Sequence, residues 1–289
     1  MSGRIAGDTT LRHRGNSLAS TRWAWDAVAF VRIYWVLLRA GWRRQATYRL
    51  ALLSGLATHA FFGVVRTAVF LAVYRERGRV GGLAVSDALT YTWLLEAIFG
   101  VIWATWIWEF PQSVRSGDFA VELLRPGDPY LRFAAFDLGR ALYLLATRAV
   151  PVLAAAAVVL PLHLPSGPGG VLALVVSVTL TAAIAFQIRF LFGMAAFWTP
   201  DYRAVYALVS PLLYLSSGFV IPIDFFPAAL RGVAQATPLY ALIMAPLRVA
   251  IGRPAGLVLA VQALWLVVLA VATRSLLALA SRRLVVHGG

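Results

Sequence analysis

The stretch VLALVVSVTLTAAIAFQIRFLFGMAAFW, residues Val171–Trp198, carries a single charged side chain, Arg189. An α-helix rises about 1.5 Å per residue, so about 20 apolar residues are enough to cross the roughly 30 Å hydrocarbon layer of a membrane. The apolar residues form a continuous run and do not alternate every second residue, as they do in the strands of a membrane barrel. This segment therefore predicts a transmembrane α-helix.

Similar apolar windows recur along the chain. Of the 289 residues, 61% are hydrophobic and 13% are charged, whereas a soluble domain has about 25% charged residues. The fold class predicted is therefore all-α and integral to the membrane, with a six-span bundle over residues 50–280, of which the fifth span is short. The predicted spans are Leu50–Tyr74, Ala88–Trp108, Phe136–Leu160, Val171–Trp198, Ala204–Val220 and Gly256–Ala280.

The basic residues indicate how the chain is oriented. All 26 of them are arginine, and the net charge is +14. With the N-terminus in the cytoplasm, sixteen arginines fall on the cytoplasmic side, six on the outer side and four within spans. The positive-inside rule then predicts that both termini are cytoplasmic, and the basic charge is explained by topology without nucleic acid as a partner.

The absence of lysine and cysteine excludes several chemistries. A nucleotide-binding G-x-x-x-x-G-K-[ST] loop needs lysine, and thiolate catalysis or a cysteine metal site needs cysteine. The four histidines are scattered without metal-ligand spacing. We therefore predict no catalytic residue, no metal site and no cofactor bound by this chain.

The segment before the first span is predicted to lie on the membrane surface. Residues 1–22 form a polar, arginine-rich tail without the apolar core of a signal peptide. Residues 23–46 are predicted to form an amphipathic helix, because Arg32, Arg39 and Arg43 fall within about 40° of one another on a helix. A seventh span is the alternative, although it would place Arg32 in mid-membrane. Residues 281–289 form a C-terminal tail.

The loop between the second and third spans, Glu109–Phe136, contains the run SGDFAVELLRPGDP at Ser116–Pro129. Asp118 is predicted to cap a short helix that Pro126 ends. Apolar side chains surrounded by charges suit docking in the groove of a partner protein, while a loop lying against lipid headgroups is the alternative. The apolar side chains are Phe119, Val121, Leu123 and Leu124.

The segment after the fifth span begins SGFVIPIDFFP, residues Ser217–Pro227, and stays apolar to Ile251. Pro238 and Pro246 interrupt it, so one continuous helix is not expected. Short helices that dip back into the membrane are predicted. The alternative, an extra span, would move the C-terminus outside.

Two ionisable groups lie at matching depth in the first and second spans. Arg66 comes eight residues before Tyr74, and Glu96 comes eight residues after Ala88. On neighbouring antiparallel helices, both then lie about 12 Å below the outer surface. We predict an ion pair that holds the two helices in register, in preference to a contact with substrate.

Two further arginines have no acid at a matching depth. Arg148 is expected near mid-membrane and Arg189 in the inner half, close to Gln187. Charged groups in hydrocarbon are costly, so these residues are predicted to line a polar route or a subunit interface. Snorkelling of Arg189 to the inner surface is the alternative.

Three segments together resemble the membrane permeases of type-2 ABC exporters, and the resemblance covers nearly the whole chain. They are the surface helix, the run GDFAVELLRP at Gly117–Pro126, and Ser217–Pro227. The resemblance implies a half-transporter in the bacterial cytoplasmic membrane. Two permeases, identical or paralogous, would assemble among membrane lipids with a cytoplasmic ATPase dimer that holds ATP and Mg.

The resemblance also implies roles for two of these segments. The loop would couple the permease to the ATPase, and Pro222–Ile251 would be a re-entrant pair that gates the outer side. The implied coupling residues are Gly117, Asp118, Phe119, Glu122, Leu123, Leu124, Arg125 and Pro126, and the implied gate residues are Pro222, Asp224, Phe225, Phe226 and Pro227.

The function expected from this resemblance is ATP-driven export of a small or amphipathic substrate by alternating access. Two other classes remain as alternatives. A proton- or ion-coupled carrier would use Glu96 as its buried proton site. A membrane-embedded lipid-modifying enzyme would need acids, histidine or serine clustered at one depth, and no such cluster is visible.

Overall fold

The computed structural model describes residues 30–76, 78–102 and 109–283. Within these ranges the chain is helical except for connecting turns and one two-stranded antiparallel hairpin, β1 (Arg79–Val80) with β2 (Leu83–Ala84). The prediction of an all-α integral membrane protein is confirmed. The predicted tail at 1–22, the start of the surface helix, the end of the second span at 103–108 and residues 284–289 lie outside the described ranges.

Twelve α-helices are described in chain order. They are α1 (described over 30–47), α2 (Arg49–Tyr74), α3 (Val85–Ile102), α4 (Glu109–Ser116), α5 (Asp118–Leu124), α6 (Pro129–Leu144), α7 (Val150–Val159), α8 (Pro168–Gly193), α9 (Tyr202–Ser216), α10 (Ala228–Gln235), α11 (Pro238–Ala250) and α12 (Ala255–Ala280). A π-helical turn, Leu145–Ala149, joins α6 to α7, and 3₁₀ turns occupy Met194–Phe197, Ile223–Phe225 and Ser281–Arg283.

Among the residues that the structure describes, five helical segments are long and apolar enough to cross a membrane. The third span begins at Pro129, seven residues before the predicted start, because Asp128 caps the helix there and proline fits its first turn. The fifth predicted span, Ala204–Val220, is the 15-residue helix α9, which at about 1.5 Å per residue is too short to cross alone. The five segments are Arg49–Tyr74, Val85–Ile102, Pro129–Val159, Pro168–Phe197 and Ala255–Ala280.

The apolar segment after α9 forms a sharply bent pair. The axes of α10 and α11 differ by 97°, and Pro238 occupies the first turn of α11. Counted as one broken span, the pair raises the number of spans to six. Helix α11 is buried along most of its length, where Gln262 of α12 donates to the Ala241 carbonyl at 2.9 Å. Helix α11 is therefore packed into the bundle, whereas only Ala234 of α10 is buried.

Helix α3 lies at the centre of the bundle. In its most apolar window 78% of residues are buried, against 22% in α2 and 11% in α12. Helices α2 and α12 therefore leave most of their apolar surface to lipid or to another subunit. Helix α3 carries Glu96, and the second span thus holds this acid away from the lipid.

Helix α1 crosses α6 at very close range. A Cβ atom on Gly41 would lie 2.0 Å from the Phe136 carbonyl oxygen, and one on Gly139 would lie 1.9 Å from the Leu38 carbonyl oxygen. Only glycine permits this approach of two backbones. The crossing fixes α1 against the third span, next to the loop that contains α5.

Candidate functional site

Helix α5 is a separate seven-residue helix in the loop between the second and third spans. It follows Gly117, whose φ of +84° is a left-handed conformation that favours glycine. Asp118 is the first helical residue, so the predicted cap is wrong; its carboxylate accepts instead from the Ser116 hydroxyl at 2.6 Å. The helix ends at Leu124, because Arg125 precedes Pro126 and takes the extended conformation that proline imposes.

The apolar residues of α5 divide into an inner and an outer set. Phe119 is fully buried, with its ring centroid 5.5 Å from that of Phe110 and 5.8 Å from that of Phe197. It anchors α5 to its own chain, which corrects its predicted role as a docking side chain. Leu124 is 86% exposed, and Val121 and Leu123 are also exposed. Val121 and Leu124, three residues apart, share one side of the helix and form the apolar face of α5, with Leu123 on the adjoining side.

Arg132 of α6 holds the C-terminal end of α5. Its guanidinium lies 2.5 Å from a Glu122 carboxylate oxygen, donates to the Glu122 carbonyl, and donates to the Pro126 carbonyl at 3.2 Å. The other carboxylate oxygen of Glu122 lies 2.6 Å from exposed Arg125. Since Arg132 itself is buried, α5 is attached firmly to the third span.

Asp128 connects the same loop to three helices. Its carboxylate accepts from the Tyr130 backbone N–H at 2.8 Å, which caps α6, and lies 2.9 Å from Arg274 of α12. Its own N–H donates to the Tyr34 hydroxyl of α1 at 3.2 Å. The capping role of Asp128 was not predicted, although an aspartate before a proline indicates the start of a helix.

The structure brings Arg66 and Glu96 together and adds a third group. Arg66 Nη1 lies 3.6 Å from Glu96 Oε1, and His59 Nδ1 lies 2.6 Å from Glu96 Oε2. The Arg66 guanidinium also lies 4.8 Å from the ring centroid of Phe219. His59 was missed, although it lies seven residues before Arg66 and so on the same face of α2.

Arg189 is paired, and the expectation that no acid matches its depth is wrong. Its Nη2 lies 2.5 Å from Asp137 Oδ2, and its Nη1 donates to the carbonyls of Val101 and Ile102 at 2.9 and 2.7 Å. The pair was missed because α6 begins at Pro129, which places Asp137 two turns inside the helix instead of at its end. Arg189 therefore joins α8 to α6 and α3 and does not snorkel.

The other two predicted intramembrane residues behave differently. Gln187 is buried and donates from Nε2 to the Tyr130 hydroxyl, joining α8 to α6. Arg148 is buried between α2 and α3, and its Nε has no hydrogen-bond partner among the described residues.

The predicted outer gate is held by an ion pair. Asp224 pairs with Arg248 of α11, whose Nε donates to the Tyr240 hydroxyl at 3.2 Å. A Cβ on Gly81 of the hairpin would lie 2.7 Å from the Asp224 carbonyl oxygen, so the hairpin packs directly on this segment. The other predicted gate residues have defined contacts or backbone conformations.

The Phe225 ring lies 6.1 Å from that of Phe70, and the Phe226 carbonyl accepts from Arg231 at 3.0 Å. Pro222 precedes the 3₁₀ turn and Pro227 precedes α10, each with the φ near −52° that proline readily supplies. The structure therefore gives residues 223–250 a defined geometry, in which α11 is packed into the bundle and α10 is largely exposed.

Comparison with known proteins identifies a family. Residues 62–288 match the family model described as ABC-2 family transporter protein. Neither the curated proteins nor the solved structures gave a match. The matched range includes α5, the Arg66–Glu96 and Asp137–Arg189 pairs and the outer bent pair.

Proposed function

Since the chain belongs to the ABC-2 transporter family, we propose that it is the permease subunit of an ATP-driven exporter whose ATPase is a separate polypeptide. The family and the apolar helices make the chain a multi-pass membrane permease of an ABC transporter. The observation that supports this proposal is the apolar face of α5. Its Leu124 is exposed, while Arg132 holds the helix through Glu122.

The apolar face of α5 has the form of a docking element. Leu124 is 86% exposed, with Val121 and Leu123 beside it and the charges of Glu122 and Arg125 at the rim. Burying one such side chain in a partner contributes about 1.5–3 kcal/mol. An apolar centre with a charged rim is the usual composition of a protein–protein interface.

The anchoring of α5 provides a route for mechanical coupling. Movement of α5 would act on the third span through Arg132, on α12 through Asp128 and Arg274, and on α1 through Tyr34. Switching a transporter from mostly one state to mostly the other requires about 5.5 kcal/mol of differential binding. ATP bound by the partner subunits would supply this energy, and this chain would transmit it.

The rest of the assembly follows from the same proposal. A second permease, identical or paralogous, would face this one, and substrate would pass between the two. Exposed apolar surface on α2 leaves room for such a contact. The bent pair α10–α11, held by Asp224 and Arg248, would open and close the outer side. Both termini would be cytoplasmic, in a bacterial inner membrane.

Affinity purification of the tagged chain from its own host in mild detergent tests this proposal. We expect an ABC ATPase subunit to co-elute, and we expect Leu124→Asp to release it. Val233→Asp is the matched control, because Val233 is an exposed valine on α10, on the opposite side of the membrane in the predicted topology. Failure of any nucleotide-binding protein to co-elute with the wild type, or equal release by both variants, would contradict the proposal.

A proton-coupled carrier is the second candidate, and the buried contact between His59 and Glu96 favours it. Both side chains are about 95% buried and lie within a span, as a proton site requires. Glu96→Gln distinguishes the two functions in reconstituted vesicles. Proton-driven transport would be abolished, whereas ATP-driven transport would keep substantial activity, because the glutamine still accepts hydrogen bonds from its neighbours.

A further inference from the structure

The Arg148 side chain occupies a space created by two glycines. A Cβ atom on Gly55 of α2 would lie 1.7 Å from Arg148 Nη2, and one on Gly100 of α3 would lie 2.7 Å from Nη1. A larger residue at either position would require the guanidinium to move. Gly55, Gly100 and Arg148 together form the Arg148 cradle.

The backbone is irregular where it carries Arg148. Residues Leu145–Ala149 form a π-helical turn within an otherwise α-helical span. Pro151 accounts for the irregularity, because it lacks the N–H that the Thr147 carbonyl would accept in an α-helix. Single π-helical turns occur frequently at functional sites, and this one directs an arginine to the interface of α2 and α3.

Arg148 has no counter-ion within the described part of the chain. Each acid in the described spans already lies within 4 Å of another basic group. The charge of Glu96 also acts on Arg148, but both of its oxygens face other side chains. A buried guanidinium without a paired anion is costly in hydrocarbon. The acids and their partners are Asp87 with His163, Glu96 with His59 and Arg66, and Asp137 with Arg189 and Arg140.

A second copy of this chain would not supply the missing anion from these spans, because its acids would be paired in the same way. The lining of an apolar cavity of about 490 Å³ includes Leu56 and Pro151, which follow Gly55 by one residue and Arg148 by three residues in the chain. The cavity runs between α2, α3 and α7 past Trp93 to Leu160. A molecule with an anionic head and an alkyl chain would neutralise the Arg148 guanidinium with its head and fill the cavity with its chain.

We propose that the Arg148 cradle binds the anionic head of an amphiphile, a phosphate or carboxylate, with its alkyl chain in the adjacent cavity. The assignment of this amphiphile as the transported substrate rests on the proposed permease function. Gly55 lies six residues after the start of α2 and Arg148 lies eleven residues before the end of the third span, so the cradle is about 9 Å and about 16 Å along the helices from these two ends. A transported molecule is favoured over a resident phospholipid, because lipid headgroups lie at the membrane surfaces.

Thermal unfolding of the purified full chain in maltoside micelles tests the site without an ATPase partner. Dodecyl phosphate is the probe, and zwitterionic dodecyl phosphocholine is its matched control. At about 100 times its Kd, dodecyl phosphate should raise the Tm of the wild type by about 5 °C. Arg148→Gln should abolish the rise, and Arg148→Lys should retain part of it. A negative result here leaves the α5 docking test unaffected.

Glycine variants test the cradle while keeping the arginine. Gly100→Ala should reduce the Tm rise, because its Cβ displaces the guanidinium, whereas Gly256→Ala should not, because nothing lies within 4 Å of that position. An equal rise with dodecyl phosphocholine, or an undiminished rise in Arg148→Gln, would overturn the site. A phospholipid that co-purifies with the wild type but not with Arg148→Gln would assign the cradle to a resident lipid and overturn the substrate assignment.

Discussion

Replacing Arg132 by methionine should detach α5 from the third span while leaving its apolar face intact. Arg132 is buried and makes three contacts to the loop: the Glu122 carboxylate at 2.5 Å, the Glu122 carbonyl, and the Pro126 carbonyl at 3.2 Å. Methionine preserves the length and apolar stem of the side chain. The variant therefore removes the hydrogen bonds with little change in packing.

The expected magnitude follows from these three bonds. A hydrogen bond to a charged group contributes about 1.5–3 kcal/mol alone, and allowing for non-additivity we take about 1 kcal/mol for each. The free energy of opening the loop should then fall by about 3 kcal/mol. Because about 1.4 kcal/mol corresponds to a tenfold change, amide hydrogen exchange in α5 should become roughly 100-fold faster.

Hydrogen–deuterium exchange measured on a peptide covering residues 118–128 provides the assay, and Arg125→Met is the matched control. Arg125 contacts the same Glu122 carboxylate, but its side chain is 61% exposed. An exposed ion pair contributes about 0.3 kcal/mol, so the control should change exchange less than twofold. If the two variants exchange at the same rate, Arg132 does not anchor α5 and the proposed coupling route is wrong.

Two further predictions concern buried polar contacts, both measured by thermal unfolding in detergent. Asp137→Asn should lower the free energy of unfolding by about 3–5 kcal/mol, because it leaves the Arg189 guanidinium buried without a carboxylate. Asp137→Leu combined with Arg189→Met should recover most of that loss, and a double variant as unstable as the single one would contradict this explanation. Gln262→Leu should lower stability by about 2–3 kcal/mol, because this fully buried amide bonds Ser177 of α8 and the Ala241 carbonyl of α11. An unchanged Tm would show that Gln262 does not hold α8, α11 and α12 together.

The segments that cross the membrane were predictable from the chain alone. Five of the six predicted windows correspond to long apolar helices, because the length of an apolar run is set by membrane thickness and needs no tertiary contact. The contact between Arg66 and Glu96 followed from counting residues along two antiparallel helices. The runs at Gly117–Pro126 and Ser217–Pro227 likewise indicated the family that the comparison identified.

The side chains of α5 show where this kind of prediction stops. Phe119 and Leu124 are both large and apolar and lie on one short helix, yet the first is fully buried and the second is 86% exposed. In a helix of seven residues, periodicity does not tell which face meets the rest of the chain. The aromatic rings of Phe110, on the preceding helix, and of Phe197, which is distant in sequence, decide it.

For the intramembrane arginines, too, the sequence determined one property and the tertiary structure another. The sequence determined that Arg148 and Arg189 lie within spans, because hydropathy and helix rise depend only on the order of residues. Only the tertiary structure decided that Arg189 meets Asp137 and that Arg148 lies between two glycines without a paired anion. The physical reason is that an ion pair depends on how two helices start and rotate against each other, which is set by packing across the whole bundle.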